Sequence, residues 1–323
     1  MNSLIRFFSD YYNHQDFRKF QNTLAREVYE TLAKAYSNSD GEVKMVTDVC
    51  DAINGSAFRG LRFYANKIHG TRSFVEFYNQ DKPTTKELAD MVVISVATRD
   101  HEIVYEKVSF IQNKKEETEN VWKIDQDQLY LLHNFPTFKG EKGLFKRNFR
   151  DEVVFLNNSE TLGNYGLFQS PGEMILVNAL TIYQLQQSNK ISLSDIRKYA
   201  KNTNNSNSQF TLIDHPFWEE MAYRYLKHFP KYGSPFLNFP FLNNSIISFN
   251  IYDFIRNWSC FNIGDVASIE GKVIDNDLNK FSRILLAKTG LSVFTRYKNE
   301  IQEFDFENNI AIMVAHIDLD YKQ

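Results

Sequence analysis

Three polar residues stand out by type and spacing: Asp90, Gln112 and Lys114. They border two apolar segments, 90–98 and 103–114, split by Arg99, Asp100, His101 and Glu102. Such a pattern predicts a β-hairpin with a polar tip. Side chains alternate faces along a strand, so Val108, Phe110, Gln112 and Lys114 share one face. Folding about His101 sets position 90 opposite position 112, and directly paired residues lie on one face with Cβ atoms about 4.5–5.5 Å apart. Asp90, Gln112 and Lys114 are therefore expected to cluster at the open end of the hairpin. A slip of one residue would undo this, so the inference depends on register. An Asp oxygen and a Gln carbonyl oxygen are hard ligands that suit Mg²⁺, which takes few protein ligands and keeps several waters. An ion held there polarises a phosphodiester and acidifies a bound water. Lys114 is placed to orient that water or to offset charge growing on the phosphate. The set suits phosphodiester hydrolysis better than acyl transfer.

The hairpin must be positioned by the elements around it. Phe17, Phe20, Leu24, Val28 and Leu32 recur at helical spacing and predict a helix over 15–36. A second helix is expected over 43–53, ending at Asn54-Gly55, and a third over 56–70 from a Ser56 cap. Residues 73–78 are strand-like, 79–86 turn-like, and 125–133 open another helix. Further on, strand-like pieces are expected at 153–156 and 212–213, and helices at 172–186, 218–228 and 278–288. A late strand covers 309–318, and the Asn/Ser-rich stretch 202–208 marks a break. These readings divide the chain into a helical N-terminal segment (1–55), a core (56–201) and a mixed C-terminal region (202–323). The expected class is α+β, with a central mixed β-sheet flanked by helices.

The strings Glu87-Leu-Ala-Asp90 and Phe110-Ile-Gln-Asn-Lys114, joined by a β-segment, resemble the core motif of the PD-(D/E)XK, or restriction-endonuclease-like, nucleases. The resemblance is to the variant with Gln in the (D/E) position. More loosely, 61–70, these two strings and 127–136 are similar to a group of uncharacterised bacterial proteins of like length. The resemblance implies a restriction-endonuclease-like core and Mg²⁺- or Mn²⁺-dependent hydrolysis of nucleic acid, expected to be DNA. Asp90, Gln112 and Lys114 would be the catalytic residues. Restriction enzymes and phage-defence effectors often use this core, so an anti-phage role, a homodimer or a partner defence protein are expectations by association only. Its alternative is an inactive core kept as a nucleic-acid-binding or protein-interaction subunit. Two departures stand out. Gln112 is neutral, so the pair carries one negative charge where the usual site has two, and Glu87 or Glu76 is the expected extra metal ligand. Ala89 stands where the motif has Pro.

The chain carries 37 Lys+Arg against 40 Asp+Glu, a net charge of -3, so nucleic-acid contact must come from local patches. One candidate is Arg59 and Arg62, which share a face of the expected third helix. The other is the stretch 138–150, with Lys142, Lys146, Arg147 and Arg150 among Phe138, Phe145 and Phe149. There cations would meet phosphates and rings would stack on bases. The first patch reads equally as a solvated face; the second reads rather as a solvated loop with its rings tucked inward. The two cysteines, Cys50 and Cys260, make neither a disulfide framework nor a zinc site, which fits reducing cytoplasm. No stretch approaches the roughly 20 apolar residues of a membrane span, and no P-loop, GxGxxG or GxSxG is present.

Overall fold

The computed structural model describes residues 4, 7, 8, 10, 14–68, 74–141, 146, 149, 151–156, 161–185, 188–204, 210–212, 243–245, 247–289 and 310–321. In chain order, α1 (Gln15–Ser37) and α2 (Glu42–Ile53) precede the short β1 (Ala57–Phe58), β2 (Leu61–Ile68), β3 (Phe74–Asn79) and β4 (Lys82–Glu87). The hairpin strands β5 (Met91–Arg99) and β6 (Glu102–Lys115) follow, then β7 (Val121–Lys123), α3 (Gln126–Asn134), β8 (Phe138–Gly140), β9 (Gly163–Gln169) and β10 (Glu173–Asn178). Next come α4 (Ala179–Leu185), β11 (Lys190–Ser192), α5 (Leu193–Asn204), β12 (Phe210–Leu212), β13 (Asn243–Ser245) and β14 (Ile247–Ser248). The described chain closes with α6 (Ile251–Ser259), β15 (Asp265–Ile269), β16 (Lys272–Val273), α7 (Asn276–Lys288) and β17 (Ile310–Asp318).

The central sheet runs β1-β2-β17-β5-β6-β9-β10-β14, with β15 paired to the first half of β6 and β16 to β15. It is mixed: β5 and β6 are antiparallel, while β17 runs parallel to β5 and β9 parallel to β6. A parallel neighbour needs a crossover, and α3 lies in the one between β6 and β9. Here β9 starts hard against that helix. A Cβ at Gly163 would stand 2.0 Å from the Leu132 carbonyl oxygen, so only glycine fits.

Both faces of the sheet are covered, which is why β5 and β17 read as nearly unbroken apolar runs. Val92, Ile94, Val108 and Phe110 pack on one side with Leu129 and Leu132 of α3 and Phe281 and Leu285 of α7. Met91, Val93 and Ile111 pack on the other with Val28 of α1, Met45 of α2 and Trp258 of α6. The expected α+β architecture, a central mixed sheet between helices, is present. Strands from the second and third expected segments build this one sheet, since β17 from the C-terminal region lies between β2 and β5.

Helices α1, α2, α3 and α7 form where expected, within a residue or two at each end. Asp125 and Asp275 cap α3 and α7 by accepting from the Gln128 and Leu278 amides, each at 2.9 Å. Four expectations are corrected. Residues 57–68 are strands, not a third helix: β2 pairs along its length with β17, and Leu61 and Phe63 are buried while Arg62 between them is exposed. The stretch 82–87 is a strand paired with β3 rather than an extended turn. Over 172–186, a strand (173–178) precedes a helix (179–185). At 153–156, Val153 alone bridges, to Phe138. The expected helix at 218–228 lies outside the described residues.

On β17, His316 is buried and shares a hydrogen bond of 2.8 Å between its Nε2 and the Thr98 hydroxyl. Burial pushes its pKa down to about 4, with Arg62 adding to the fall and Asp318 opposing it. A histidine depressed on folding contributes stability that is full above its ordinary 6.5 and lost as pH falls through 4. The unfolding free energy of wild type minus that of His316→Gln, from urea titrations, is therefore expected to shrink by about 3 kcal/mol across that window. A pH-independent difference would refute it.

Candidate active site

The far end of the β5–β6 hairpin keeps the expected register: Met91 pairs with Ile111, Val92 with Phe110 and Ile94 with Val108. Asp100 and His101 form the tip, both with positive φ (50° and 61°), and a bulge beside Thr98 shifts only the pairs nearest that tip. Asp90 sits one residue before β5. Its backbone is held on both sides, the N–H donating to the Ile111 carbonyl (3.1 Å) and the carbonyl accepting from the Ala311 N–H (3.0 Å).

Asp90 and Gln112 meet. The Gln112 side-chain amide donates to Asp90 Oδ2, which also accepts the Asn113 backbone N–H at 2.7 Å. Gln112 Oε1 is buried and has no hydrogen-bond partner among the described residues. Burial pushes the Asp90 carboxyl up to about 6. The Asn113 N–H, Lys114 and Gln112 pull it down, and the charge of Glu42 raises it further. Lys114 Nζ stands 3.7 Å from Glu42 Oε2 in the first turn of α2.

Glu42 is the participant that sequence reading missed. Beyond the start of β5, the edge of β6 is open, and its amides need acceptors. Asp90 takes the Asn113 N–H, and Glu42 Oε1 takes the Lys115 N–H at 2.8 Å. Lys115 turns away to the Asp40 carbonyl (2.7 Å). Two carboxylates thus cap one strand edge with Lys114 close to both. Nothing local marks Glu42, which lies in another element far upstream.

On the neighbouring strand β9, Tyr165 pairs with Gln112 and shares the core behind Val92 and Phe110. Its buried hydroxyl lacks a hydrogen-bond partner among the described residues. Burial, then the charges of Asp125 and Asp90, push the phenol well above its ordinary pKa. Gly166 pairs with Asn113, and a Cβ there would come within 2.3 Å of Asn113 Oδ1.

The remaining expected residues lie elsewhere. Glu76 and Glu87 stand on the β4-β3-β8 sheet, where Glu76 pairs with Thr85 and Lys139 and Glu87 with Phe74. Val75 and Phe77 point into the core, so Glu76 and Phe74 take the opposite face. Among the described residues no three of His, Cys, Asp and Glu come together to hold a metal. The donor set at the hairpin end is therefore the Asp90 carboxylate and the orphaned Gln112 oxygen, with Glu42 nearby. A carboxylate and an amide oxygen are both of the hard donor type that Mg²⁺ takes.

Arg59 and Arg62 do not share a helix face. Arg59 has φ 52° in the turn between β1 and β2, its guanidinium 5.6 Å from the Phe58 ring, and Arg62 is an exposed strand residue. In the basic stretch, Lys146 is exposed, while Lys142, Arg147 and Arg150 lie outside the described residues. Phe138 and Phe149 are buried in the core, so those two rings are withheld from stacking on bases.

Cys50 and Cys260 are both buried, and neither forms a disulfide among the described residues. No helix among the described residues is long and apolar enough to cross a membrane. No protein-family model, curated protein or solved structure matches the chain.

Proposed function

We propose that the open end of the β5–β6 hairpin is a phosphodiester-hydrolysing centre acting on nucleic acid, DNA in the first instance, with Mg²⁺ or Mn²⁺. One observation carries this reading: Asp90, Gln112 and Lys114 stand together, with a carboxyl raised by burial beside a buried amide oxygen that has no partner. Perturbed acids beside a cation are common at catalytic sites. The resemblance of the two strings to the PD-(D/E)XK motif supports it, as does the crossover through α3 to the parallel β9.

In this reading Asp90 and Gln112 Oε1 hold the cation. The bound ion supplies a polarised phosphoryl oxygen and an acidified water. Lys114 places its ammonium where negative charge grows on the phosphate. Glu42 positions that ammonium, and the Asn113 N–H fixes Asp90 Oδ2. Nucleic acid and Mg²⁺ would meet such a site in the cytoplasm.

A second reading has its own support. Asp90 and Glu42 already cap the open edge of β6, a structural duty that leaves the core a binding or interaction module without turnover.

The test is cleavage of labelled DNA and RNA by purified protein with Mg²⁺, Mn²⁺ or EDTA. Metal-dependent products lost in both Asp90→Ala and Lys114→Ala support the first reading. Products equally abundant in both variants refute it, and nucleic-acid binding without any products favours the second.

A further inference from the structure

The chain leaves the Lys114 end of β6 through a loop that borders a cleft the reading above does not use. β6 ends at Lys115, and residues 116–120 lead into β7, which pairs with β11; α5 starts directly after β11. The Trp122 indole N–H donates to the Phe168 carbonyl at 2.8 Å and ties β7 to β9. Between this loop and α5 lies an open cleft of about 620 Å³. Arg197, Lys198 and Lys201 line it from α5, and Glu119 and Asn120 from the loop.

The charge of this cleft is unbalanced. None of its three cations has a carboxylate partner among the described residues. Of the nearby acids, Glu117 is paired with a cation, while Glu116 and Asp195 keep their charge and turn it to neutral donors. Glu116 accepts from the backbone amides of Ser170 (2.7 Å) and Asn120 (3.0 Å), and Glu117 pairs with Lys190 at 2.8 Å. Asp195 accepts the Ser192 hydroxyl at 2.6 Å and its N–H at 3.1 Å. Glu119 is the single acid on the lining among the described residues. In a chain of net charge -3, three cations without an ion-pair partner among the described residues make the α5 wall of the cleft locally basic. Arg197 and Lys201, one helical turn apart, present their charges in register along the cleft.

We propose that this cleft binds the phosphodiester backbone of a nucleic-acid strand and holds it beside the end of β6 that carries Lys114. The choice of ligand rests on the phosphodiester reading of the Asp90 site. Arg and Lys contacts to phosphate are independent of sequence and weaken steeply with salt. The volume suits a unit or two of a strand, with the rest running across the surface.

The test is fluorescence anisotropy with a short labelled single-stranded oligonucleotide, titrated in EDTA over a range of salt. Wild type should bind with a marked salt dependence. Arg197→Glu/Lys198→Glu/Lys201→Glu should bind roughly tenfold or more weakly. Its log–log salt slope should be shallower by about 2, because each single-strand phosphate contact contributes about 0.7. Should charge reversal disturb α5, the milder Arg197→Gln/Lys201→Gln pair should still show a weaker affinity and a shallower slope. Unchanged affinity and slope in these variants overturn the proposal. So does a wild type that binds inorganic phosphate but no oligonucleotide. Failure of the catalytic reading is separate: wild type that never cleaves with metal, while cleft variants still lose binding, removes the hydrolase and leaves the cleft.

Discussion

Asp90→Asn is expected to stabilise the folded chain by about 3 kcal/mol near neutral pH while losing metal-dependent cleavage and any stabilisation by Mg²⁺. Burial holds the Asp90 carboxyl at about 6 instead of its ordinary 3.8. A carboxyl raised on folding favours the fold fully only below its unfolded pKa, and that contribution is lost as pH rises through 6. At neutral pH the fold therefore carries an ionised, half-buried carboxylate at a cost of about 1.4 kcal/mol per pH unit of displacement. An amide has no charge to desolvate. The gain should appear above pH 6 and vanish below about pH 4. His316 works in the opposite direction over nearly the same range, gaining stability between about 4 and 6.5. The two slopes offset each other in wild type, so the Asp90→Asn profile should climb where that of wild type is flat. A cation bound at Asp90 relieves the same desolvation, so Mg²⁺ should raise the urea midpoint of wild type alone. A variant no more stable than wild type at neutral pH, with both responding alike to Mg²⁺, would mark Asp90 as an ordinary cap on a strand edge.

The hairpin was legible because its information is local. Alternating apolar residues on two adjacent segments, with Asp100 and His101 free to take positive φ at the tip, determine which residues face each other. The bulge beside Thr98 lies near the tip and leaves the far end in register. Where partners are distant, the pattern misled. Phe58, Leu61, Ala65 and Ile68 fit helical spacing, yet burial alternates at Leu61 and Phe63 because β17, far along the chain, supplies the missing strand. Met174, Ile175, Leu176 and Val177 are all buried, and an apolar run covered on both sides has no periodicity to tell strand from helix. Glu42 was invisible for a related reason: its contact with Lys114 and the Lys115 amide depends on how α2 crosses the sheet. The proposed cleft needs the same kind of knowledge, since Arg197, Lys198 and Lys201 look like any solvated helix face until α5 is set against the loop after β6.

Glu106→Ala is expected to destabilise the protein by about 3–5 kcal/mol, a large share of the 5–15 kcal/mol typical of a fold. In sequence Glu106 and Lys107 look like a polar interruption of a strand, yet both are fully buried. The Glu106 carboxylate faces α7 and accepts from the Ser268 hydroxyl (3.1 Å), the Asn279 amide (2.8 Å) and the Ser282 hydroxyl. Arg283 Nε stands 3.3 Å away. Removing the carboxylate takes a buried anion from beside the Arg283 guanidinium and an acceptor from three donors, the costly way to break a buried network. Arg283→Ala alone should also destabilise, because it leaves a fully buried carboxylate with its three neutral donors but without the Arg283 charge. In the Glu106→Ala background Arg283→Ala should cost less than it does in wild type, since the pair it would break is already gone. Urea unfolding of the four proteins completes the cycle, and additive losses would show that the two charges do not act as a unit. Glu106 and Gln112 lie on the same strand, so loosening α7 from β6 also loosens the support of the proposed site. Glu106→Ala should therefore lower the proposed cleavage by disturbing the position of Gln112 and Lys114, whereas Asp90→Asn should remove it from a fold made firmer.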